Sequence, residues 1–592
     1  MAPRIYTSDL PALPIVSTSI FTRIFAALAP GYIGGFPGSQ IAFIDGYTGI
    51  SFTRAELLDL ALCFGYGIQH HSILSSLTVR GATVLIFSPN SLAWPVVIFG
   101  CVAAGLRCTT ANSSYTSREL AHQYSDSGAA LVITAEDGIA TVRAMFLELG
   151  LSRNEADRRT VVMGRDLRWA GGPAAAPRLE YRGLVTLSDL LVLGKLQKEE
   201  QFEGALAHET VFICYSSGTT GKPKGVETTH QNVTTFLDAS RDLFRDAQSE
   251  NNAVLGFMVT VLHFDRVLLK FLKQPFYHAA GLFLILHLPF TLGWSVVIQS
   301  GFDPRQFCET IERFKIPLAF IVPPVLVVLA RHPDVDKYDL SNLQYMLCGA
   351  APVGPDLVQD VRKRLLAKRP PGAICMITQG YGLTETTVTA HCLHFSDAER
   401  KMGSIGKLLA NVEARLVRND EGTIDAEDGS PGELWVRGKT VMKGYLNNPL
   451  ATANSISPDG WFKTGDILFR DKDSFFYVVD RKKELIKYKV RYLVAGAHEG
   501  SLNWFIVAPA ELESVLLTHP EIADVAVIGV ESREQATELP RAYVVHARPL
   551  EIQTSAQKTE FLQGIEKWME LKVARHKFLR GGIVLIDAVP KR

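Results

Sequence analysis

Eleven consecutive residues concentrate groups suited to phosphate: Tyr215-Ser216-Ser217-Gly218-Thr219-Thr220-Gly221-Lys222-Pro223-Lys224-Gly225. Three glycines permit a tight loop with backbone N–H groups turned inward, and four Ser/Thr hydroxyls and two lysines surround them. Such a loop suits a polyphosphate, whose anionic oxygens want several converging donors and cations. The pattern is not a Walker A loop, because Pro223 follows Lys222 where Ser or Thr is required. The alternative, a flexible polar turn, is disfavoured by the density of phosphate-type groups.

Four further segments carry residues of the same chemical kind. They are Gly349-Ala350-Ala351-Pro352, Gln379-Gly380-Tyr381-Gly382-Leu383-Thr384-Glu385-Thr386, Gly460-Trp461-Phe462-Lys463-Thr464-Gly465-Asp466 and Asp480-Arg481-Lys482-Lys483-Glu484-Leu485-Ile486-Lys487. Taken singly, each acid reads equally well as a solvated or turn-capping residue. Taken in order with the loop, they resemble the motifs of the adenylate-forming enzymes: acyl-CoA synthetases, 4-coumarate-CoA ligase, beetle luciferase and peptide-synthetase adenylation domains. The resemblance covers most of the chain. It implies that Ser216, Ser217, Gly218, Thr219, Thr220, Gly221, Lys222 and Lys224 bind the phosphates of ATP. It implies that Gly349, Ala350 and Ala351 lie against the adenine, that Tyr381, beside Gly382, stacks on it, and that Thr384 contacts the α-phosphate. Glu385 would hold Mg²⁺, a hard cation that prefers carboxylate and phosphate oxygens. Asp466 and Arg481 would reach the ribose, Lys483 matches the hinge position, and Lys487 would contact the phosphate region. Pro275-Phe276-Tyr277-His278-Ala279-Ala280-Gly281 resembles the segment bordering the acyl pocket. A lone histidine is more often a core residue, but this context gives His278 a pocket role.

The resemblance implies two steps. A carboxylic acid and ATP form an acyl-adenylate and pyrophosphate; a small domain then turns at a hinge, and coenzyme A displaces AMP. No Gly-Gly-x-Ser attachment motif of a carrier domain occurs, so free coenzyme A is the expected acceptor. The nearest alternative loads a separate carrier protein, and a different class of reading is a weak or inactive ligand-binding product. A luciferase-like oxygenase is remote. Small residues beside His278 suggest an aryl, medium-chain or branched acid.

The elements that must position these residues are legible as short apolar runs alternating with helical periods. Ala82–Phe87, Ala130–Thr134, Thr210–Cys214 and Leu318–Val322 read as buried strands, and Arg54–His70 and Pro355–Ala367 as helices. This alternation predicts an α/β chain: a large N-terminal domain of layered, largely parallel sheets and helices. Near residue 430 the texture changes to short strands joined by Gly- and Asp-rich turns, among them Gly432–Gly438 and Phe475–Val479. A helix over Ala510–Leu517 and a strand over Val525–Val530 then predict a small, mobile α+β C-terminal domain. The expected division is 1–480 for the AMP-binding domain and 481–592 for the small domain. Gly171–Pro177 reads as a surface loop.

Composition narrows the class. The chain has 592 residues, 47% apolar and 21% charged, which excludes disorder and a coiled-coil rod. Lys plus Arg is 61 and Asp plus Glu is 61, so the net charge is zero and nucleic acid is a poor partner. The eight cysteines form no CxxC and several sit in apolar runs, as buried thiols of a reducing compartment do. Residues 279–299 carry no charge and are as long as a bilayer span, but His287, Pro289 and Gly293 favour a buried helix and strand. No signal peptide or membrane span is expected, and the compartment expected is the cytoplasm.

Three departures from the family pattern bear on activity. Val254–Met258 reads as the strand that should run straight into the His278 segment, yet Val259–Gln274 intervenes. Roughly fourteen extra residues within Val490–Trp504 likewise separate Lys487 from Val507-Ala508-Pro509-Ala510-Glu511. Both segments begin with valine, whose codons start with GT, and Gln274 has a codon ending in AG. One or both read as translated introns, the alternative being a genuine lineage-specific loop; spliced transcripts retaining both would refute the intron reading. The chain also ends at Pro590-Lys591-Arg592, before the family's late lysine, and this apparent truncation predicts weakened adenylation. A peroxisomal Ser-Lys-Leu-type address would lie in the same missing tail.

Overall fold

The computed structural model describes residues 3–163, 166–173, 183–216, 223–250, 267–270, 276–484, 486–490, 504–532, 537–573 and 575–589. Its large N-terminal part is built on two largely parallel sheets. The first has eight strands and contains, in spatial order, Ala129–Thr134, Thr83–Phe87, Arg107–Ala111, Thr210–Ser216 and Lys224–Thr229, ending on Gly444–Tyr445. The second has nine, with Met376–Tyr381, Tyr345–Cys348, Leu318–Ile321, Val267–Lys270, Ser295–Ile298 and Ile41–Asp45 side by side and parallel. Strands covered on both faces need apolar residues throughout, and Thr83–Phe87 and Ser295–Ile298 are buried at every position.

One helix shows how sequence dictates the layering. Ala93–Ala103 reads Ala-Trp-Pro-Val-Val-Ile-Phe-Gly-Cys-Val-Ala, is apolar all round, and all of its residues are buried. A helix without a polar face must lie inside. It packs on Arg54–His70, where Gly100 lets the backbones meet: a Cβ there would lie 2.5 Å from the Phe64 ring. Arg54–His70 itself starts on a capping box formed by Thr53 and Glu56.

A five-stranded antiparallel sheet follows, including Val412–Val417, Gly432–Gly438, Phe462–Arg470 and Phe476–Arg481. The smaller C-terminal domain has its own apolar cluster, with Ile486, Val507, Leu512, Val527 and Ile565 at its centre. It holds the helix Pro509–Leu516 and a sheet of Ile522–Ser532, Thr537–His546 and Ile583–Leu585. The mixed α/β architecture is the one expected.

The uncharged stretch 279–299 is a π-helical turn (Gly281–His287), a short helix (Leu288–Thr291) and the strand Ser295–Ile298. No helix among the described residues is long and apolar enough to cross a membrane. All eight cysteines are free and six are buried. The strand expected over 254–258 and most of the loop 171–177 lie outside the described residues. The strand next to the His278 segment is instead Val267–Lys270, inside the segment that interrupts the family pattern. At the second interruption, Ile486–Val490 and Trp504–Val507 pair antiparallel, and 491–503 lie outside the described residues.

Candidate active site

Strands ending at a common edge deliver the candidate residues to one cleft of about 1660 Å³. Ser216 ends one strand and Lys224 opens the next, and the two are register partners. Ser217, Gly218, Thr219, Thr220, Gly221 and Lys222 lie outside the described residues, so only the two ends of the predicted phosphate loop are placed. Both ends line the cleft, with Gly349, Ala350, Gly382, Thr384, Glu385, Asp466, Arg481 and His278.

Glu385 is the centre of the best-defined polar cluster. It sits in a one-turn helix, Thr384–Thr386, is 7% exposed, and its Oε1 accepts hydrogen bonds from Ser216 Oγ and from Tyr445 OH, each at 2.9 Å. Oε2 accepts none among the described residues. The turn is anchored by the Met442 amide, which donates to the Glu385 carbonyl at 2.8 Å. Thr387 and Val388 follow in the left-handed region, at φ 50° and 79°, an arrangement that stores strain beside the carboxylate. Lys224 Nζ lies 4.6 Å from the centre of the Tyr445 ring, so this tyrosine touches the acid with its hydroxyl and the cation with its face. Burial, and then the Glu385 charge, push the Tyr445 phenol well above its ordinary range.

The second cluster surrounds Asp466. The strands Phe462–Arg470 and Phe476–Arg481 pair so that Asp466 faces Arg481, and Arg481 Nε lies 3.5 Å from Asp466 Oδ1. Tyr381 OH donates to Asp466 Oδ2 at 2.5 Å. Burial raises the carboxyl of Asp466 above the usual carboxylate range, against the lowering influence of Tyr381 and Arg481. Tyr381 was expected to stack on adenine. Here its ring lies edge-on to His391, its hydroxyl is bound to Asp466, and the cleft wall on either side of it is Gly380 and Gly382.

Gly349 and Ala350 form the wall after the strand Tyr345–Cys348; Ala350 holds φ 73° and Ala351 is exposed next to it. His278 lines the cleft directly after two pinned residues: Asn90 accepts from the Phe276 amide at 2.7 Å, and the Tyr277 carbonyl accepts from Thr110 at 2.7 Å. Ala279, Ala280, Leu284, Leu288, Phe320 and Ile321 make an apolar wall next to His278. Lys483 borders the cleft. Lys487 lies in the strand Ile486–Val490 opposite Ile506, with its side chain outside the described part.

No group of three or more His, Cys, Asp and Glu that could hold a metal occurs among the described residues. Mg²⁺ does not need one: it keeps several waters and takes one or two carboxylates plus substrate phosphates. Glu385, with one oxygen oriented by two hydroxyls and the other without a donor, fits that demand.

Two largely parallel sheets, a small C-terminal domain and a polar cleft holding Lys224, Glu385, Asp466 and Arg481 accord with the adenylate-forming class. Residues 34–446 match the AMP-binding enzyme family and 511–592 match the AMP-binding enzyme C-terminal domain. The chain is 32% identical to 4-coumarate-CoA ligase 1 of Narcissus pseudonarcissus, over 93% of its own length and 87% of that protein's. It is 31% identical to peroxisomal OPC-8:0-CoA ligase 1 of Arabidopsis thaliana, over 93% and 88%. Among solved structures, o-succinylbenzoate CoA synthetase of Bacillus subtilis, in complex with an acyl-adenylate, superposes with a TM-score of 0.67 at 23% identity, covering 98% of this chain and 96% of that one. The chain belongs to the AMP-binding enzyme family. Acid–CoA ligase chemistry through an acyl-adenylate is supported at the level of that family.

Sequence reasoning missed Tyr445 and the bond from Tyr381 to Asp466. The only sequence signal for Tyr445 is the Gly444-Tyr445 pair, whose strand closes the edge beside Lys224–Thr229.

Proposed function

We propose that this chain is an ATP-dependent ligase that activates an aryl, medium-chain or branched acid as its adenylate and passes the acyl group to coenzyme A. The observation that carries the proposal is that Lys224, Glu385 and Asp466, far apart in sequence, open on one cleft. The acid's carboxylate oxygen attacks the α-phosphorus of ATP, the bond to the bridging oxygen breaks, and pyrophosphate leaves. The protein's part is to align these groups and stabilise the spreading charge.

Lys224, with Lys222 and the hydroxyls of Ser216, Ser217, Thr219 and Thr220, takes the phosphates, and Gly218 and Gly221 let the backbone approach. Thr384 meets the α-phosphate, and Lys487 adds positive charge there. Mg²⁺ held at Glu385 would neutralise phosphate charge when bound. Asp466 and Arg481 take the ribose; Gly349, Ala350, Ala351 and Tyr381 take the adenine. His278 and the apolar wall receive the acyl tail. The small domain, bounded near residue 480, turns at Lys483, and the thiol of coenzyme A then attacks the acyl carbon and expels AMP.

Pyrophosphate exchange across a panel including 4-coumarate, a medium-chain acid and OPC-8:0 tests the first step; these acids are chosen from the relatives' names. A coenzyme A-dependent thioester product tests the second. Exchange without thioester would favour a separate carrier protein as acceptor. Exchange with no acid would overturn the proposal. Residues 491–503, which interrupt the family pattern after Lys487, are expected to slow the second step more than the first, so a version without them should gain in thioester formation.

A further inference from the structure

The two domains meet at a contact that no candidate substrate group touches. Helix Pro323–Arg331 of the large domain ends on Arg331, and its guanidinium donates to three carbonyls of the small domain. Nη1 reaches His519 O at 2.9 Å and Ile522 O at 2.7 Å, and Nη2 reaches Leu517 O. These carbonyls belong to the turn that leaves the helix Pro509–Leu516 and to the first residue of the strand Ile522–Ser532, beside the helix end that carries a partial negative charge; His519 O also accepts from the Ile522 amide at 3.1 Å. A planar fork of donors on a fixed helix satisfies several of them in one geometry only.

Arg331 is itself held. Arg364, from helix Pro355–Leu366, donates to Leu329 O at 3.2 Å and His332 O at 2.9 Å, closing the end of the helix that carries Arg331. On the small-domain side the same helix is approached twice more: Asp480 Oδ2 accepts from the Ala510 amide at 3.0 Å, and a Cβ on Gly354 would lie 2.1 Å from Ser514 Oγ. The exit turn, start and flank of one small-domain helix are thus gripped, and Arg331 supplies most of the directional bonds.

We propose that Arg331 is a positioning residue that selects this orientation of the small domain by bridging the turn between the helix Pro509–Leu516 and the strand Ile522–Ser532. Its kinetic consequence rests on the two-step reading above; its structural consequence does not. Turning the small domain breaks all three bonds together and hands the carbonyls to water. Arg331→Ala therefore lowers the population of this orientation, relative to all others, by roughly tenfold, the order expected when charge-assisted hydrogen bonds exchange with water.

The test places spectroscopic labels at Leu147 and Leu571, both strongly exposed, through an unnatural amino acid so that the eight native cysteines are untouched. The expected result is a distance distribution that loses its main component in Arg331→Ala and retains part of it in Arg331→Lys, which offers a point charge instead of a fork. Ser514→Trp, which wedges the same interface from the other side, should give the same loss. An unchanged distribution in Arg331→Ala would overturn the proposal. Pyrophosphate exchange and overall thioester formation should shift in opposite directions, because one orientation cannot serve both steps; an equal fall in both would also overturn it. If the distances shift but no acid supports exchange, the latch stands and the ligase reading fails.

Discussion

Tyr445 offers the sharpest test of the site, because its two contacts can be removed one at a time. Tyr445→Phe deletes the hydroxyl that donates to Glu385 Oε1 and keeps the ring under Lys224. A hydrogen bond to a charged group contributes about 1.5–3 kcal/mol. Ser216 still holds the same oxygen and the cleft admits water, so the lower end applies, and adenylation should fall roughly tenfold. Tyr445→Leu also removes the ring face. A cation–π contact contributes about 0.5–2 kcal/mol, which adds a further loss of roughly two- to thirtyfold. The assay is pyrophosphate exchange at saturating ATP, with Mg²⁺ titrated for each variant. Ser216→Ala combined with Tyr445→Phe should cost more than the sum of the two single changes, since together they leave the carboxylate without a donor. Wild-type exchange in Tyr445→Phe would refute the role of the hydroxyl, and equal rates in the Phe and Leu variants would refute that of the ring.

Three other perturbations have defined outcomes. Asp466 must be ionised to hold Arg481 and accept from a ribose, yet burial raises its carboxyl above the usual range, so ATP affinity should fall as pH drops through that raised value; Asp466→Asn should bind weakly at every pH and lack this acid limb. The native state holds this proton more tightly than the unfolded chain, so from this group alone stability declines as pH rises through the window, a slope the Asn variant should also lose. His287, packed against Phe99, Phe212 and Phe283, is pushed down to about 4 by burial. The unfolded chain binds that proton more readily, so its contribution is complete above about pH 6.5 and is lost toward pH 4, a change of roughly 3 kcal/mol that His287→Leu should remove from urea-denaturation curves. Gly382→Ala places a Cβ 1.8 Å from the Val388 carbonyl, so the turn carrying Thr384 and Glu385 must shift; exchange should fall on the order of a hundredfold while the thermal midpoint moves little.

What could be read from the sequence was whatever local pattern encodes. The strand before Ser216 and the helix over Arg54–His70 follow from apolar patterning and capping, which involve neighbours a few residues apart, whereas the all-apolar helix Ala93–Ala103 has no periodicity or side-chain cap to announce it. The cleft is different, because its bonds depend on register between distant strands. Tyr445 lies 60 residues from Glu385, and Tyr381 lies 85 from Asp466. Nothing around Tyr445 distinguishes it from a packed aromatic until its strand is laid against Val226 and Glu227. Arg331 was invisible for the same reason: its acceptors are backbone carbonyls, which every residue possesses. The strand beside the His278 segment shows the opposite limit, since 254–258 and 267–270 are both apolar enough for a central strand and sequence pattern alone does not choose between them.

Asp466 and Arg481 are cross-strand neighbours, and both precede Lys483. A rotation that begins at Lys483 therefore leaves that pair's mutual geometry as it was. Whatever the pair grips can stay in one frame of reference while its surroundings are exchanged, as a workpiece stays in a vice while the tool is changed. A reactive mixed anhydride would then never have to be released and caught again between two chemistries.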